Sequence, residues 1–230
     1  MRCAGKCATR RSEKIINGDF VQPLYFAGAV LAAYLIGSLS FAVIVTRLLG
    51  LNDPRSYGSK NPGATNVLRS GNKGAAVATL LLDAIKGWVP LALIQWKGAD
   101  YGLAEGAMAA VGLAVFLGHL YPVFFQFKGG KGVATAAGLL FGVHWVLGLA
   151  CIATWLLVAY FSRYSSLSAL LCALAVPLYY LLGDRALWYV DKYVLMMLVV
   201  TSALLIYRHR ENIGKLLQGK ESKIGSGRKV

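Results

Sequence analysis

From residue 133 to residue 161 the chain carries no charged side chain, an apolar run of 29 residues with His144 near its middle. At about 1.5 Å of rise per residue, one helix of that length overshoots a hydrocarbon core of about 30 Å. His144-Trp145 suits an interfacial turn, so the run reads as two helices, over 133–143 and 146–161. The first is half-length, which a bilayer tolerates only where the helix packs in protein or lines a polar cavity. Further apolar runs cover about 24–49, 74–96, 103–121, 167–182 and 187–207. Only 15% of residues are charged, against about 25% in a soluble domain. The chain therefore reads as an all-α, polytopic integral membrane protein with about seven transmembrane helices, short ones included. One membrane-embedded domain is expected over 23–213. Basic tails flank it over 1–22, expected to be poorly structured, and over 214–230.

An odd number of crossings puts the two termini on opposite sides. With the polar segment 50–73 inside, the loop around Lys128, the turn at 163–166 and the C-terminal tail are inside too. Those segments and their edges hold fifteen of the twenty-four Lys and Arg, whereas the opposite loops hold only Lys97, Arg185 and Lys192. The positive-inside rule then places the C-terminus in the cytoplasm and the N-terminus outside. Arg2, Lys6, Arg10, Arg11 and Lys14 run against this assignment, which rests on the internal loops. The net charge of +14 fits anionic lipid or substrate at one membrane face. Nucleic-acid binding would need a soluble basic fold that this composition does not provide. Cys151 and Cys172 lie in apolar runs, and Cys3 and Cys7 have no histidine or further cysteine near them. No metal, disulfide or signal peptide is expected.

The polar motifs gather at the inside face. Phe127-Lys128-Gly129-Gly130-Lys131-Gly132-Val133-Ala134-Thr135 separates two apolar runs. Glycines let backbone N–H groups converge on an anion, and Lys131 adds a point charge. A helix starting after Gly132 would add its N-terminal dipole. The alternative is a plain turn with headgroup lysines. Gly132 follows Lys131 where a nucleotide-binding P-loop needs Ser or Thr, which disfavours nucleotide hydrolysis. The stretch GSKNPGATNVLR (58–69) offers the Ser59 hydroxyl, the Asn61 and Asn66 amides and the Arg69 guanidinium, which can grip phosphate bidentately. Arg163-Tyr164-Ser165-Ser166 places Ser166 as an anion donor or a helix N-cap. Tyr207-Arg208-His209-Arg210-Glu211-Asn212 exceeds what a stop-transfer cluster requires. His119 reads as an acid or base, or as a packed histidine. Asp83 and Lys86, at i,i+3 inside a membrane helix, read as a structural ion pair or a functional one. Glu211 has the same two readings.

GSKNPGATNVLR, LLDAIKG (81–87), GHLYPVFFQFKGGKGVAT (118–135), RYSSLS (163–168) and IYRHRENI (206–213) occur in this order. Together they resemble the bacterial acyl-phosphate-dependent glycerol-3-phosphate acyltransferase family, over about residues 24–219. The resemblance implies a seven-helix enzyme of the bacterial cytoplasmic membrane with its active site facing the cytoplasm. It would move a fatty acyl group from acyl phosphate to the 1-hydroxyl of glycerol 3-phosphate. The products would be lysophosphatidic acid and phosphate, in the first acylation of phospholipid biosynthesis. Ser59, Arg69, Lys131, Ser166, His209 and Asn212 match the family's substrate positions. Lys131, Arg69, His209 and Asn212 are the catalytic candidates. Asn61, Asn66, Gly129, Gly130 and Gly132 join them as binding candidates. No cofactor is implied. The partners are the two substrates, the bilayer and, by metabolic link, an enzyme that makes acyl phosphate; the chain reads as a monomer. Lys60-Asn61-Pro62 departs slightly from the family's usual Gly-Asn-Val/Pro, while Ser59, Asn61 and Arg69 are kept. None of the three histidines has aspartate five positions later, which excludes the His-x4-Asp signature of another acyltransferase class. Two other classes stay open: an anion transporter, and a structural membrane protein that would tolerate Arg69→Ala and Asn212→Ala.

Overall fold

A computed structural model describes residues 22–103 and 106–225. The expected basic tail, with Cys3 and Cys7, lies outside the described residues apart from Gln22. The described residues form ten α-helices: α1 Gln22–Gly37, α2 Phe41–Leu48, α3 Ala64–Leu68, α4 Lys73–Lys97, α5 Ala107–Leu120, α6 Val133–Val143, α7 Trp145–Ser162, α8 Ser165–Leu182, α9 Lys192–Arg208 and α10 Arg210–Leu217. No strand occurs among the described residues. Four segments, Lys73–Tyr101, Ala107–Phe125, Trp145–Ser162 and Ser165–Leu182, are long and apolar enough to cross a membrane. The α1–α2 and α9–α10 pairs pass the same test together but bend by 46° and 57°.

The break expected at His144 is present. His144 is extended (φ −161°), ends α6, and accepts at Nδ1 a hydrogen bond from Val146 N–H, so the chain reverses within one residue. Its ring lies 4.8 Å from that of Trp188 in the α8–α9 loop, at the end of the bundle opposite the polar motifs. The eleven residues of α6 then reach back only about 16 Å at 1.5 Å each. The loop before α6 is thereby recessed toward the middle of the bundle. Recession requires α6 to be surrounded by protein. Gly87 of α4 lies flat against the Thr135 carbonyl, and Gly138 of α6 against the Ala84 carbonyl. Any Cβ at either position would collide with backbone. Such small-residue crossings are how helices approach closely in lipid. By contrast, α7 turns Leu156, Leu157, Tyr160 and Phe161 outward as a lipid-facing surface.

Three elements differ from the sequence reading. The first run, expected as one span over 24–49, breaks at Ser38–Ser40. The Ser38 hydroxyl donates to the Tyr34 carbonyl (2.8 Å), and the Leu39 carbonyl accepts Lys86 Nζ (2.6 Å) instead of an intrahelical N–H. The last span starts at Lys192, not at 187, because 183–191 forms a compact loop. There Trp188 Nε1–H donates to the Tyr180 carbonyl, and the Asp191 carboxylate caps α9 through the N–H groups of Tyr193 and Val194. The segment after Arg208, expected as a polar tail, forms α10 and then turns back. Ile224 N–H donates to the Arg163 carbonyl at 2.6 Å.

Candidate functional site

The site is assembled around residues 128–132. Gln126 and Phe127 are both left-handed (φ 56° and 59°), which is uncommon outside glycine, and they turn the chain inward after the short helix Val123–Phe125. Gly129 and Gly130 are then pressed onto the end of α5. A Cβ on Gly129 would strike the carbonyls of His119 and Leu120, and one on Gly130 would strike the His119 imidazole. Gly130 N–H donates to the His119 carbonyl (3.2 Å). From the other side Arg208 donates through Nη2 to the Gly129 carbonyl (2.8 Å) and through Nε to the Gly130 carbonyl (3.2 Å). Gly132 (φ 86°) is the N-cap of α6 with no side-chain cap, so the first N–H groups of α6 stay open to an anion.

Lys131 leaves this loop half-buried, and Nζ donates to Asn212 Oδ1. Burial pushes its ammonium below the ordinary lysine range. The carboxylates of Glu221 and Glu211 pull it back up, and Lys215 and Arg69 press it down. Only protonated Lys131 carries the charge to hold an anion here, so any anion bound through it would be lost as pH rises through this lowered value. The alkaline limb of kcat/KM is expected at lower pH than an ordinary lysine would set, and Lys131→Arg, which stays charged, is expected to move it upward. A pH–rate profile of the two proteins checks this; coincident limbs would remove Lys131 from the titration.

The first motif folds around buried Asn66. Its Oδ1 accepts Ser59 N–H (3.0 Å), and its Nδ2 donates to the carbonyls of Pro54 (2.6 Å) and Tyr57 (3.2 Å). Asn66 thus spends its amide on the shape of the loop, leaving the Ser59 side chain exposed and Asn61 half-exposed beside it. In the same loop Asp53 and Arg55 pair at 2.6 Å. The hydrogen bond from Arg55 lowers the Asp53 carboxyl, and Asp53 in turn raises the Arg55 guanidinium. Arg69 is exposed and packs along Gly58. It donates through Nη2 to Ser222 Oγ at 2.7 Å.

His209 sits in the bend between α9 and α10, 2% exposed. Its Nδ1 is 2.8 Å from the Leu205 carbonyl. A carbonyl only accepts, so Nδ1 carries the proton and Nε2 of the neutral ring is an acceptor. Ser166 falls in the first turn of α8, whose N-cap is Tyr164, so its hydroxyl is not a cap. It donates instead to Glu221 Oε1 at 2.8 Å. Glu211, two residues from His209, is exposed.

Behind the loop, Asp83, Lys86 and His119 are 2%, 3% and 7% exposed. Lys86 Nζ is 2.7 Å from Asp83 Oδ1, and His119 Nδ1 is 3.7 Å from the same oxygen. The cluster joins the α1–α2 bend, α4 and α5, and it touches the loop through His119. Among the described residues no group of three or more His, Cys, Asp and Glu is arranged to hold a metal ion. A separate cavity of about 270 Å³ at the far end, lined by His144, Tyr180, Trp188 and Asp191 among others, holds none of the motif residues.

Lys131, Asn212, Ser166, Arg69 and the first motif therefore converge on one end of the bundle, from two loops and the starts of α8 and α10. The residues that sequence reading missed are Glu221 and Ser222. Both lie in what reads as a charged tail, and only the return after α10 brings them onto Ser166, Asn212 and Arg69.

Known proteins resemble the chain throughout. The family model described as glycerol-3-phosphate acyltransferase matches residues 27–219. A glycerol-3-phosphate acyltransferase of Albidiferax ferrireducens is 62% identical over 216 residues, covering 94% of this chain and 96% of that one. One from Paraburkholderia phytofirmans is 57% identical over 200 residues, covering 86% and 90%. The crystal structure of PlsY (YgiH), an integral membrane glycerol 3-phosphate acyltransferase, in its glycerol 3-phosphate form, superimposes with a TM-score of 0.79 at 39% identity, covering 88% of this chain and 96% of that chain.

Proposed function

The chain belongs to the glycerol-3-phosphate acyltransferase family, and from that membership we propose that its acyl donor is a fatty acyl phosphate and its active site the Lys131 cleft. The chain is a multi-pass membrane acyltransferase that converts glycerol 3-phosphate to lysophosphatidic acid in phospholipid biosynthesis. The transporter and structural readings give way to this one.

The observation that carries the donor and site assignment is the recessed loop at 128–132. A lysine and the open N-terminus of α6 lie together there, at one end of a bundle of apolar helices. Acyl phosphate is already activated, so no covalent nucleophile is needed, and positioning with charge stabilisation suffices. Lys131 and the α6 N–H groups hold the phosphate of the donor. Arg69, with Ser59, orients the phosphate of glycerol 3-phosphate. His209, through Nε2, accepts a hydrogen bond from a glycerol hydroxyl. The 1-hydroxyl oxygen attacks the acyl carbon, a new C–O ester bond forms, and the bond from that carbon to the phosphate oxygen breaks. The proton of the hydroxyl leaves with the phosphate, and Lys131 offsets the charge growing there. His119 lies behind the loop and Glu211 outside it, so neither is given the reacting proton.

The site end faces the cytoplasm in this reading, with the N-terminus outside, supported by the bias of Lys and Arg toward the site-end loops. The protein would act as a monomer beside an enzyme that supplies acyl phosphate. The test is a donor comparison with purified protein and glycerol 3-phosphate. Acyl phosphate is expected to support turnover with glycerol 3-phosphate-dependent phosphate release, and acyl-CoA and acyl-carrier protein to support little. Equal or higher rates with either thioester would overturn the donor assignment.

A further inference from the structure

The strap that follows α10 places one carboxylate oxygen, Glu221 Oε1, between two motifs far apart in sequence. Ser166 Oγ donates to it at 2.8 Å, and Asn212 Nδ2 donates to it at 2.7 Å. Asn212 in turn accepts Lys131 through Oδ1. On either side the strap is pinned by Ser222 to Arg69 and by the backbone pairing of Ile224 with Arg163.

Hydrogen-bond inventory decides what these contacts leave for substrate. A serine hydroxyl has one proton, and an ionised carboxylate accepts only. With its proton on Glu221, Ser166 can turn only lone pairs to the cleft. It cannot also donate to a phosphate oxygen; it can accept from a hydroxyl. Asn212 is fixed by the same carboxylate. Its NH₂ must face Glu221, so its oxygen must face Lys131, and the flipped amide would set two acceptors against each other. Lys131 keeps its two remaining protons for phosphate.

We propose that Glu221 is a positioning residue that makes Ser166 the acceptor for the attacking hydroxyl of glycerol 3-phosphate and fixes Asn212 against Lys131. This rests on the Lys131 cleft being the place where the two substrates meet. Ser166 orients the hydroxyl before attack and takes no net proton: as the new C–O bond forms, the hydroxyl's one proton turns from Ser166 to the departing phosphate oxygen. The charge of Glu221 strengthens the hydrogen bond from Ser166 and keeps its lone pairs turned to the hydroxyl.

The test is a double-mutant cycle of Ser166→Ala and Glu221→Gln, with kcat and both KM values measured on protein that elutes as a single species in detergent. Each single change is expected to lower kcat about 10- to 100-fold, the scale of a hydrogen bond to a charged group. KM for the acyl donor should stay within about twofold. The double variant should be no slower than the slower single one, because both changes remove the same arrangement. Additive losses, a wild-type kcat in Glu221→Gln, or a raised donor KM in Ser166→Ala would overturn the proposal. If Glu221→Gln does not fold, Ser166→Ala alone still decides: a kcat loss at constant donor KM supports the acceptor role, and a rise in donor KM refutes it. The inference concerns the acceptor hydroxyl, so the cycle reads the same with a thioester donor, and failure of the donor assignment stays separate from failure of this one.

Discussion

Lys131→Ala is expected to lower kcat/KM by about 10²- to 10³-fold, the scale seen when one preorganised charge-stabilising donor is removed. The loss is large because the arginines that reach the cleft are already engaged. Arg208, which reaches the loop from the end of α9, is engaged with the carbonyls of Gly129 and Gly130. Arg69 is committed to the opposite side of the cleft through Ser222. Lys128 is exposed to solvent. The fold should survive, because Lys131 is half-buried and supports no helix crossing; Asn212 keeps its bond to Glu221. The measurement is steady-state turnover of acyl phosphate and glycerol 3-phosphate, alongside size exclusion and thermal unfolding. Near-normal turnover by folded protein would sink the phosphate-site assignment, whatever the other variants do.

The architecture was legible where hydropathy and length act alone. The 133–161 run is too long for one crossing and carries His144-Trp145 at its centre, and the structure reverses there, within a residue of the expected place. The bends at Ser38–Ser40 and His209 were not legible. The only local mark of the first break is Gly37-Ser38-Leu39-Ser40, which a hydropathy average passes over, and the donor that takes up the freed Leu39 carbonyl is Lys86, forty-seven residues away. A tertiary partner replaces the helical bond, and local sequence holds no record of it. The helix α10 was hidden for a related reason. Arg210-Glu211-Asn212 and Lys215 look like a solvated tail, yet α10 packs against α8 and α9 and directs the strap back to the cleft.

The same division applies to the cleft. Glycine-lysine chemistry is local, so the loop at 128–132 and the start of α6 after Gly132 could be read directly. The first motif was read as a set of substrate ligands. The structure spends the Asn66 amide on the backbone of its own loop, a distinction that spacing does not encode. Glu221 was invisible because its meaning depends on Ser166 and Asn212, which a sequence scan assigns to other motifs. Motif reading offers candidates for groups that meet substrate; groups that meet those candidates emerge only when the chain is folded.

Asp83→Asn is expected to destabilise the protein by about 3–5 kcal/mol, the range for removing one partner of a buried ion pair. Asp83 and Lys86 are almost wholly enclosed, with Nζ 2.7 Å from Oδ1, in a bundle whose surroundings are lipid. With the carboxylate gone, the Lys86 ammonium keeps the Leu39 carbonyl and the face of Phe41, 5.5 Å from its ring centre, but has no counter-charge. The α1–α2 bend that Lys86 holds should loosen, and with it the position of His119, whose carbonyl anchors Gly130. Removing the stranded charge should recover most of the loss, since an apolar replacement of a whole buried pair is often neutral. Asp83→Asn/Lys86→Met is therefore expected to unfold well above Asp83→Asn, although the Leu39 carbonyl loses its donor. Thermal unfolding in detergent reads both proteins directly. A midpoint in Asp83→Asn equal to that of the parent would show that the pair does not hold the bend; a double variant less stable than the single would show that the Lys86 bond to the Leu39 carbonyl outweighs the stranded charge.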